Sequence, residues 1–437
     1  MQDERRFTLH TVTLGALTRE GLATAEISEP TSDGETCTTL LQVPACLPGE
    51  RVTIAVEPPA VPPRRHRRHW KPFPRRVKVL EIHQPAPQRV EARCPVFGTC
   101  GGCQLQHLQY EAQLEWKRAV VDGLLREIGH FEQPPLLATV PCDYPWEYRN
   151  HMRFSVNREG QPGLTARSTR HVLPLSHCPI AHPAINVALS IFSQQTNPRP
   201  QVLVRCAIST NQMLIQPSQS AEVVQLLAEK GIEVCEETMD EQLGGESFRI
   251  RPSSFFQTNT AQAEKMAQMV LDGLFPAMQA GSEPGGTARP LIVLDAYCGV
   301  GTFALMFARR AGRVIAIEES ASAIKDARWN LRAVENVEIM QGKVEDLLPT
   351  LAEHLDGLVI DPPRAGCQRP VLAALARNPV KRLVYVSCDP STLARDLDML
   401  CHEYAAYRLC SVQPLDMFPQ TAHIESVAIL EYKQEHE

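Results

Sequence analysis

A cysteine at the end of a strand is the residue of this 437-residue chain whose position most favours chemistry. The apolar run Leu383–Val386 predicts a strand, which residues 387–390, Ser-Cys-Asp-Pro, connect to a helix that Ser391 or Thr392 could cap. Because the free N–H groups at a helix start favour negative charge, we expect this position to lower the pKa of the Cys388 thiol and to favour nucleophilic attack. A buried strand cysteine without a chemical role is the alternative.

A turn that contains two glycines follows another predicted strand. The pattern Asp-x-x-x-Gly-x-Gly permits a tight turn and the close approach of a ligand to the backbone. The next strand ends at Glu318, whose carboxylate can hold both hydroxyl groups of a ribose, and Asp346 could accept a hydrogen bond from an adenine amino group. Without a Walker-type lysine, the turn fits S-adenosylmethionine better than a dinucleotide, and a purely structural turn is the alternative. The candidate residues of the turn are Asp295, Tyr297, Gly299 and Gly301.

The cysteine segment and the motif Asp361-Pro362-Pro363-Arg364, which ends a further predicted strand, together resemble the uracil-carbon-5 RNA methyltransferases. The resemblance implies that the Cys388 thiolate adds to carbon-6 of uracil, so that carbon-5 of the resulting enolate attacks the methyl group of S-adenosylmethionine. It also implies that Asp361 holds the edge of the uracil and that Glu425 is the base that removes the carbon-5 proton. Gln257 matches a further motif of the family and is expected between cofactor and base.

One motif departs from the family pattern and leaves its candidate residue in register, and a second motif departs from the pattern of a different family. Near Glu425, the chain has Gln420 and Ala422 where the family usually has His and Gly. The Asp-Pro-Pro motif also resembles the loop of amino-group methyltransferases, but Arg364 replaces the aromatic residue of that loop. An amino-group methyltransferase is therefore an alternative, although it gives the cysteine and Glu425 no role. A strand-edge carboxylate is the alternative reading of Glu425.

A cluster of cysteines forms a second candidate centre. Cys94, Cys100 and Cys103 follow the spacing Cys-x5-Cys-x2-Cys, and Cys178 is a distant fourth cysteine. Four soft thiolates in a chain that we expect to be cytoplasmic indicate an iron–sulfur cluster or zinc, and the spacing alone does not distinguish the two. The resemblance favours a [4Fe–4S] cluster, because the branch of the family with Cys-x5-Cys-Gly-Gly-Cys-x-x-Gln-His, reproduced at residues 94–107, binds one.

The overall charge of the chain does not indicate a nucleic-acid-binding protein, since the net charge is −6. Basic charge is concentrated at residues 64–76, where six arginines and one lysine surround Trp70 and Phe73 without any acidic residue. Such a strip can neutralise phosphates while its rings stack on bases, and a solvated linker is the alternative. The polar N-terminus and the absence of a long apolar run predict a cytoplasmic protein without membrane association. We expect a monomer.

Three domains are predicted, of which the first two precede residue 251. Residues 1–90 contain short β-rich pieces, and Leu47–Val52 resembles the middle of TRAM domains, which are OB-like RNA-binding barrels. The Pro-rich region 58–88 predicts a loop or spacer. Residues 91–250 begin with the cysteine cluster and predict a helix at 108–128 followed by mixed β structure, together forming a central iron–sulfur and RNA-binding domain.

Strands and helices alternate through the third domain, residues 251–437. This order predicts an α/β fold with a Rossmann-like, mostly parallel sheet, covered on both faces and binding ligands at the carboxyl ends of its strands. The predicted strands are Leu291–Tyr297, Arg313–Glu318, Val337–Met340, Gly357–Asp361, Arg382–Cys388, Tyr407–Gln413 and Ser426–Tyr432.

The choice of RNA substrate depends on the cysteine cluster. Within the family the cluster favours enzymes that act on 23S ribosomal RNA, with tRNA as the alternative substrate. A non-catalytic RNA-binding relative is a further hypothesis, against which the presence of Cys388, Asp361, Gln257 and Glu425 argues. The resemblance thus implies S-adenosylmethionine-dependent methylation of carbon-5 of a uridine in RNA.

Overall fold

The computed structural model describes residues 7–30, 36–58, 75–197, 199–276 and 290–433. The chain divides into two units. The first unit comprises the described residues up to Gln113 together with Ala166–Thr169 and Gln420–Ala422. The second unit comprises Leu114–Thr165, Arg170–Pro419 and the described residues from His423 onward. No helix in these described ranges is both long and apolar enough to cross a membrane.

The first unit is an all-β structure around a small apolar core. Its three-stranded antiparallel sheet and its two-stranded hairpin share this core, in which alternating Val52, Ile54 and Val56 pack with Ala25 and Ile27. The predicted all-β N-terminal region is therefore confirmed. The strands are β1 Thr8–Thr13, β2 Ala23–Pro30, β3 Thr36–Val43, β4 Arg51–Val56 and β5 Val77–Gln84, in the sheets β1-β4-β5 and β2-β3.

The prediction that residues 58–88 form a loop is wrong for the last part of that region. β5 pairs antiparallel with β4, and its residues Val77, Val79 and Ile82 pack against the core. The prolines that suggested a loop mostly precede this strand. Residues 59–74, which contain most of the predicted basic strip, lie outside the described residues.

A buried carboxylate fixes the turn that resembles TRAM domains. Glu50 has no exposed side-chain surface, and its oxygens accept hydrogen bonds from the backbone N–H groups of Leu47 at 2.9 Å and Ala86 at 3.1 Å. Arg89 adds an ion pair, with 2.8 Å between its Nη2 atom and Glu50 Oε2. The charge-assisted bonds hold the pKa of Glu50 below its usual value despite burial, so this carboxylate ties the end of β5 to the start of β4.

The second unit begins with a helix and an antiparallel sheet. The helix predicted at 108–128 is observed as α1, Tyr110–Glu127. A six-stranded sheet follows, in the order β11-β10-β9-β6-β7-β8, of which the β10–β11 pair is parallel. Its strands are β6 His151–Val156, β7 Pro162–Thr165, β8 Val172–Pro174, β9 Gln201–Cys206, β10 Gln212–Gln216 and β11 Glu233–Cys235. The hairpin of β12 Met239–Leu243 and β13 Glu246–Ile250 follows this sheet along the chain.

Two helices in this region were not predicted. They are α2, Pro183–Ser193, and α3, Ala221–Ala228. The sequence of α2 carries the signal, because its buried residues recur at the spacing of one helix face and Pro183 occupies the first turn. These buried apolar residues are Ile185, Ala188, Leu189 and Phe192.

A seven-stranded sheet forms the rest of the second unit, in the order β16-β15-β14-β17-β18-β20-β19. Its first five strands are parallel, and β20 pairs antiparallel with both β18 and β19. The strands are β14 Ile292–Ala296, β15 Arg313–Glu318, β16 Val337–Gln341, β17 Gly357–Ile360, β18 Arg382–Ser387, β19 Tyr407–Leu415 and β20 Glu425–Tyr432. All seven predicted strands form, with ends shifted by at most two residues, which confirms the Rossmann-like prediction.

Helices cover both faces of this sheet, so its central strands are almost entirely apolar. One core packs α4, α5 and α6 against the sheet, and a second core packs α8, α9 and part of α1 against the other face. The helices are α4 Thr260–Leu274, α5 Thr302–Ala308, α6 Ala321–Asn330, α7 Val344–Leu347, α8 Arg369–Arg377 and α9 Pro390–Asp398.

Candidate active site

The predicted chemical residues lie at one edge of the seven-stranded sheet. Asp295 is the last residue but one of β14, and Glu318 is the last residue of β15. Asp361 directly follows β17, and Cys388 directly follows β18. Because these strands are parallel and adjacent, their carboxyl ends meet at the same edge. Electrostatic coupling links the Asp295 carboxyl to those of Asp361 and Glu318.

Strand direction brings Glu425 to the same edge. β20 runs antiparallel to β18, and its register pairs Ser387 with Ser426. The residue that follows β18, Cys388, and the residue that begins β20, Glu425, therefore lie side by side. The carboxyls of Glu425 and Asp361 both raise the pKa of the Cys388 thiol, which agrees with this register. The sheet thus groups the three residues to which the resemblance gives catalytic roles.

The expectation of a lowered pKa at Cys388 is wrong. Burial and the nearby carboxyls of Glu425 and Asp361 raise the pKa of the thiol to about 11, and the Arg364 guanidinium opposes this only in part. The helix start is present, but its N–H groups are already bonded. The Asp389 carboxylate caps α9 by accepting from the N–H groups of Ser391 at 2.9 Å and Thr392 at 3.4 Å.

The pKa values of the two carboxyls beside the thiol are raised as well. Burial raises the pKa of Asp361 to about 7. Burial and the neighbouring Asp361 carboxyl raise the pKa of Glu425 well above its usual value, against the opposing effect of Arg364. Three neighbouring acids, of which Glu425 is buried and Asp361 and Cys388 are half-buried, favour the neutral form of at least some of them. The free protein therefore keeps protons on this site at neutral pH.

Arg364 is the cation of the site, and its position depends on α9. Thr392 Oγ1 donates to the Arg364 carbonyl oxygen at 3.3 Å, which ties the Asp-Pro-Pro-Arg turn to the first turn of the helix. The Arg364 Nη2 atom lies 3.4 Å from His423 Nδ1. His423 was not singled out from the sequence, although it is only two residues before Glu425 in the same motif.

The glycine turn after β14 is held by the carboxylate at the end of β15. Glu318 Oε2 accepts from the Gly299 N–H at 3.0 Å, and its Oε1 accepts from the Ser320 N–H at 2.7 Å. Gly299 has a φ of +55° with open space where a Cβ would stand. Gly301 has a φ of +84°, and a Cβ there would lie 3.0 Å from Leu331. The turn is therefore tight, and its backbone is accessible at Gly299.

Asp295 and Tyr297 build the base of this turn. Asp295 is fully buried, its Oδ2 accepts from the Ala304 N–H at 2.8 Å, and its Oδ1 has no partner among the described residues. Burial raises the pKa of Asp295 well above its usual value. Tyr297 has a φ of +66°, and its hydroxyl donates to Glu345 Oε1 at 3.2 Å. Asp346 lies next to Glu345 in α7 with an exposed side chain.

Gln257 lies in the segment between β13 and α4. Its carbonyl oxygen accepts from Asn150 Nδ2 at 3.2 Å, and the same amide donates to Thr260 Oγ1 at 3.1 Å. Asn150 is itself buried, so it fixes this segment to the start of β6. The sequence departure at Gln420 also has a structural partner, since its Oε1 accepts from Gln113 Nε2 at 3.0 Å within the first unit.

The candidate metal cysteines do not form a metal-binding arrangement in the described part of the chain, where no group of three or more His, Cys, Asp and Glu side chains could hold a metal ion. Cys94, Cys100 and Cys103 belong to the first unit and Cys178 to the second. Cys100 Sγ accepts from the Gly102 N–H at 3.4 Å, and Cys178 is fixed by reciprocal bonds with Asn186. The structure therefore gives no support to the predicted cluster.

Comparison with known proteins assigns the chain to one family. Residues 212–433 match the family model described as tRNA (Uracil-5-)-methyltransferase. A tRNA (uracil-54, C5)-methyltransferase of Pyrococcus abyssi, solved in complex with S-adenosyl-L-homocysteine, is similar in structure, with a TM-score of 0.69 and 23% identity over 96% of this chain and 99% of that chain. At this identity the likeness extends to the fold.

Curated relatives match most of the chain. An uncharacterized RNA methyltransferase of Thermosynechococcus vestitus is 33% identical over 401 residues, 81% of this chain and 87% of that protein. One of Halalkalibacterium halodurans is 32% identical over 446 residues, 90% of this chain and 91% of that protein. The chain belongs to the tRNA (uracil-5-)-methyltransferase family of S-adenosylmethionine-dependent RNA methyltransferases.

Proposed function

We propose that this protein methylates carbon-5 of a uridine in RNA, with 23S ribosomal RNA as the substrate, through a covalent bond between Cys388 and the base. The observation that carries the proposal is the register of β18 and β20, which brings Cys388 and Glu425 side by side next to Asp361. An amino-group methyltransferase needs neither a cysteine nor a second carboxylate at this place.

In the proposed reaction, Cys388 Sγ bonds to carbon-6 of the uracil, and the charge moves to an enolate whose carbon-5 becomes nucleophilic. Asp361 holds the edge of the base. Carbon-5 takes the methyl group of S-adenosylmethionine, which is the methyl donor. Glu425 then removes the carbon-5 proton, and the bond between sulfur and carbon-6 breaks.

The protonation of the free site sets a condition on this sequence of steps. The thiol of Cys388 must lose its proton before it attacks, and Glu425 must be ionised before it can act as a base. Burial opposes both ionisations, and Arg364 favours them. The positive sulfonium of the methyl donor would act in the same direction as Arg364. The site is therefore suited to become reactive when its substrates assemble.

The glycine turn supplies the residues for the methyl donor. We assign the ribose hydroxyls to Glu318, whose carboxylate is held at the end of β15 and keeps free lone pairs. Asp295, with an unpartnered buried Oδ1, fits a group that carries hydrogen-bond donors or positive charge. We also assign to the methyl donor the residues Tyr297, Gly299, Gly301, Asp346 and Gln257. Asp361 is assigned to both the methyl donor and the uracil.

The cysteine cluster is a separate part of the proposal, and it rests on the sequence. We assign a [4Fe–4S] cluster to Cys94, Cys100, Cys103 and Cys178, whose spacing matches the cluster-bearing branch of the family. Methyl transfer needs no redox step, so no step of the reaction is assigned to the cluster. The choice of 23S rRNA over tRNA has the same basis.

The test is a nucleoside assay. Unmodified 23S rRNA and tRNA are incubated separately with the protein and S-adenosylmethionine, and the methylated position is mapped by mass spectrometry. We expect 5-methyluridine in 23S rRNA and none with the Cys388→Ala variant. Methylated adenine or guanine would replace the proposal by an amino-group methyltransferase, and 5-methyluridine in tRNA alone would change the substrate.

A further inference from the structure

An exposed tryptophan on α6 contacts two guanidinium groups. The Cζ atom of Arg249 lies 4.0 Å from the centre of the Trp329 ring, and that of Arg332 lies 4.3 Å from it. Both guanidinium groups therefore contact the Trp329 ring, which is 41% exposed. Cation–π contacts of this kind hold the guanidinium groups in a fixed orientation.

The stack belongs to a basic stripe along α6. Lys325, Arg328, Trp329 and Arg332 are all exposed, and their spacing of three, one and three residues puts them on one side of the helix and of the turn after it. In the part of the chain that the structure describes, no carboxylate pairs with Lys325, Arg328 or Arg332. Arg249 pairs with Asp240, at 3.2 Å between Nε and Oδ1. We call these five residues, Arg249, Lys325, Arg328, Trp329 and Arg332, the α6 patch.

The α6 patch is joined to the proposed catalytic site by buried side chains. Asn330 accepts from the Arg249 N–H at 2.8 Å and donates to the carbonyl oxygen of Val300, in the glycine turn, at 2.9 Å. Asp326, also buried, accepts from the Arg251 N–H at 2.9 Å. β13, which carries Arg249, leads directly into the segment of Gln257. The patch therefore stands on the same two elements that support the cofactor turn and the Gln257 segment.

We propose that the α6 patch binds the phosphate backbone of the substrate RNA beside the uridine that enters the active site. The proposal rests on the proposed function and adds an RNA contact to it. A chain with a net charge of −6 can attract RNA only through local excess positive charge. Lys325, Arg328 and Arg332, which have no carboxylate partner among the described residues, supply it. Arg249 pairs with Asp240 through Nε, and Arg332 donates from Nη1 to the Trp329 carbonyl oxygen at 2.6 Å. The remaining N–H groups of the two guanidinium groups can donate to phosphate oxygens.

The test measures the affinity of the protein for unmodified 23S rRNA, transcribed in vitro, as a function of salt concentration. The variant is Arg328→Ala/Arg332→Ala. Its matched control is Arg377→Ala/Lys381→Ala, which removes two exposed cations, one at the end of α8 and one before β18. S-adenosylmethionine affinity, measured in parallel, verifies that each variant is folded. Arg332→Glu repeats the test with a single change at the surface.

We expect the double variant to bind this RNA about 10-fold more weakly at moderate salt and its log–log salt slope to flatten by about 1.4, as loss of two single-strand phosphate contacts requires. The control should keep the slope of the unaltered protein. An unchanged affinity and slope in the double variant would overturn the inference. Formation of no 5-methyluridine by the unaltered protein, with a flattened slope in the variant, would instead overturn the proposed function and keep the patch.

Discussion

Single residues decide the protonation of the active site, and here the sequence pattern was only partly informative. The types and order of Cys388, Asp361 and Glu425 could be read from the motifs, because each ends or begins a strand. The direction of the thiol pKa could not, since it depends on burial and on two carboxyls that are distant in sequence. The residue that caps α9 is also Asp389, whereas the sequence had suggested Ser391 or Thr392.

The raised pKa values predict that methyl transfer is limited by deprotonation. Cys388, at about 11, and Asp361, at about 7, lose protons as pH rises. The kcat/KM for RNA methylation should therefore increase from pH 6 to pH 9, because it reports ionisations of the free enzyme. Arg364→Ala should displace this profile to higher pH, since Arg364 lowers the pKa values of Cys388 and Glu425, whereas Arg364→Lys should displace it less. A flat profile in the unaltered protein would contradict this reading.

The carboxyl of Glu425 should make folding stability fall with pH. Its folded pKa lies above the unfolded value of 4.5, so above pH 4.5 the unfolded state releases a proton that the folded state retains. Stability from this group is present below pH 4.5 and is lost as pH rises toward the folded pKa. Glu425→Gln should therefore have a higher melting temperature, relative to the unaltered protein, at pH 8 than at pH 5. The exposed Glu335→Gln serves as the control, and an equal difference at both pH values would refute the prediction.

At the scale of elements, hydrophobic periodicity predicted the seven-stranded sheet and α1 because buried parallel strands and amphipathic helices have distinct patterns. It failed where composition misled. The nearby prolines led to a loop prediction for β5, although this strand begins with an alternation of apolar and polar residues. The prediction of mixed β structure in the central region missed α2, although α2 has an apolar pattern of helical period. The division into domains at 1–90, 91–250 and 251–437 stays a prediction.

A buried ion pair links α1 to the connection between β19 and β20. Lys117 Nζ lies 2.5 Å from Asp416 Oδ1, and neither side chain is exposed. Gln262 in α4 donates to the Asp416 carbonyl oxygen at 2.9 Å. The pair thus fixes the segment that leads to Glu425 against two helices.

Lys117→Met should lower the free energy of unfolding by about 3–5 kcal/mol, because it leaves the buried Asp416 carboxylate without its cation. The double variant Lys117→Met/Asp416→Asn should recover part of this loss. Lys265→Met, which removes an exposed pair with Asp143, should cost less than about 1 kcal/mol. Denaturant titration measures all three, and equal losses for the two lysine variants would contradict the assignment.

At the scale of the whole molecule, the sequence led to two expectations: local positive charge on a chain with a net charge of −6, and a cluster from the cysteine spacing. The described residues contain a basic patch but no metal-binding arrangement. The α6 patch shows how an acidic chain can present local positive charge, and no sequence motif announced it, because Arg249 is distant in sequence from α6. The cluster was predicted from spacing, and spacing alone cannot show which cysteines meet in the fold.

The cluster assignment predicts about four irons per chain and broad visible absorption after purification without oxygen. Cys178→Ala should lose the iron while S-adenosylmethionine affinity is retained, since the glycine turn contains none of these cysteines. Metal analysis and absorption spectroscopy decide the matter. Colourless protein with one zinc per chain would replace the cluster by a zinc site.

The central claim is that Cys388 bonds to carbon-6 of a uridine whose carbon-5 is then methylated. RNA that carries 5-fluorouridine at the target tests it most directly, because after methyl transfer no carbon-5 proton remains for Glu425 to remove and the adduct cannot break down. We predict a protein–RNA band that resists denaturation, requires S-adenosylmethionine and is absent with Cys388→Ala. Continued methylation of ordinary uridine RNA by Cys388→Ala would contradict the covalent mechanism.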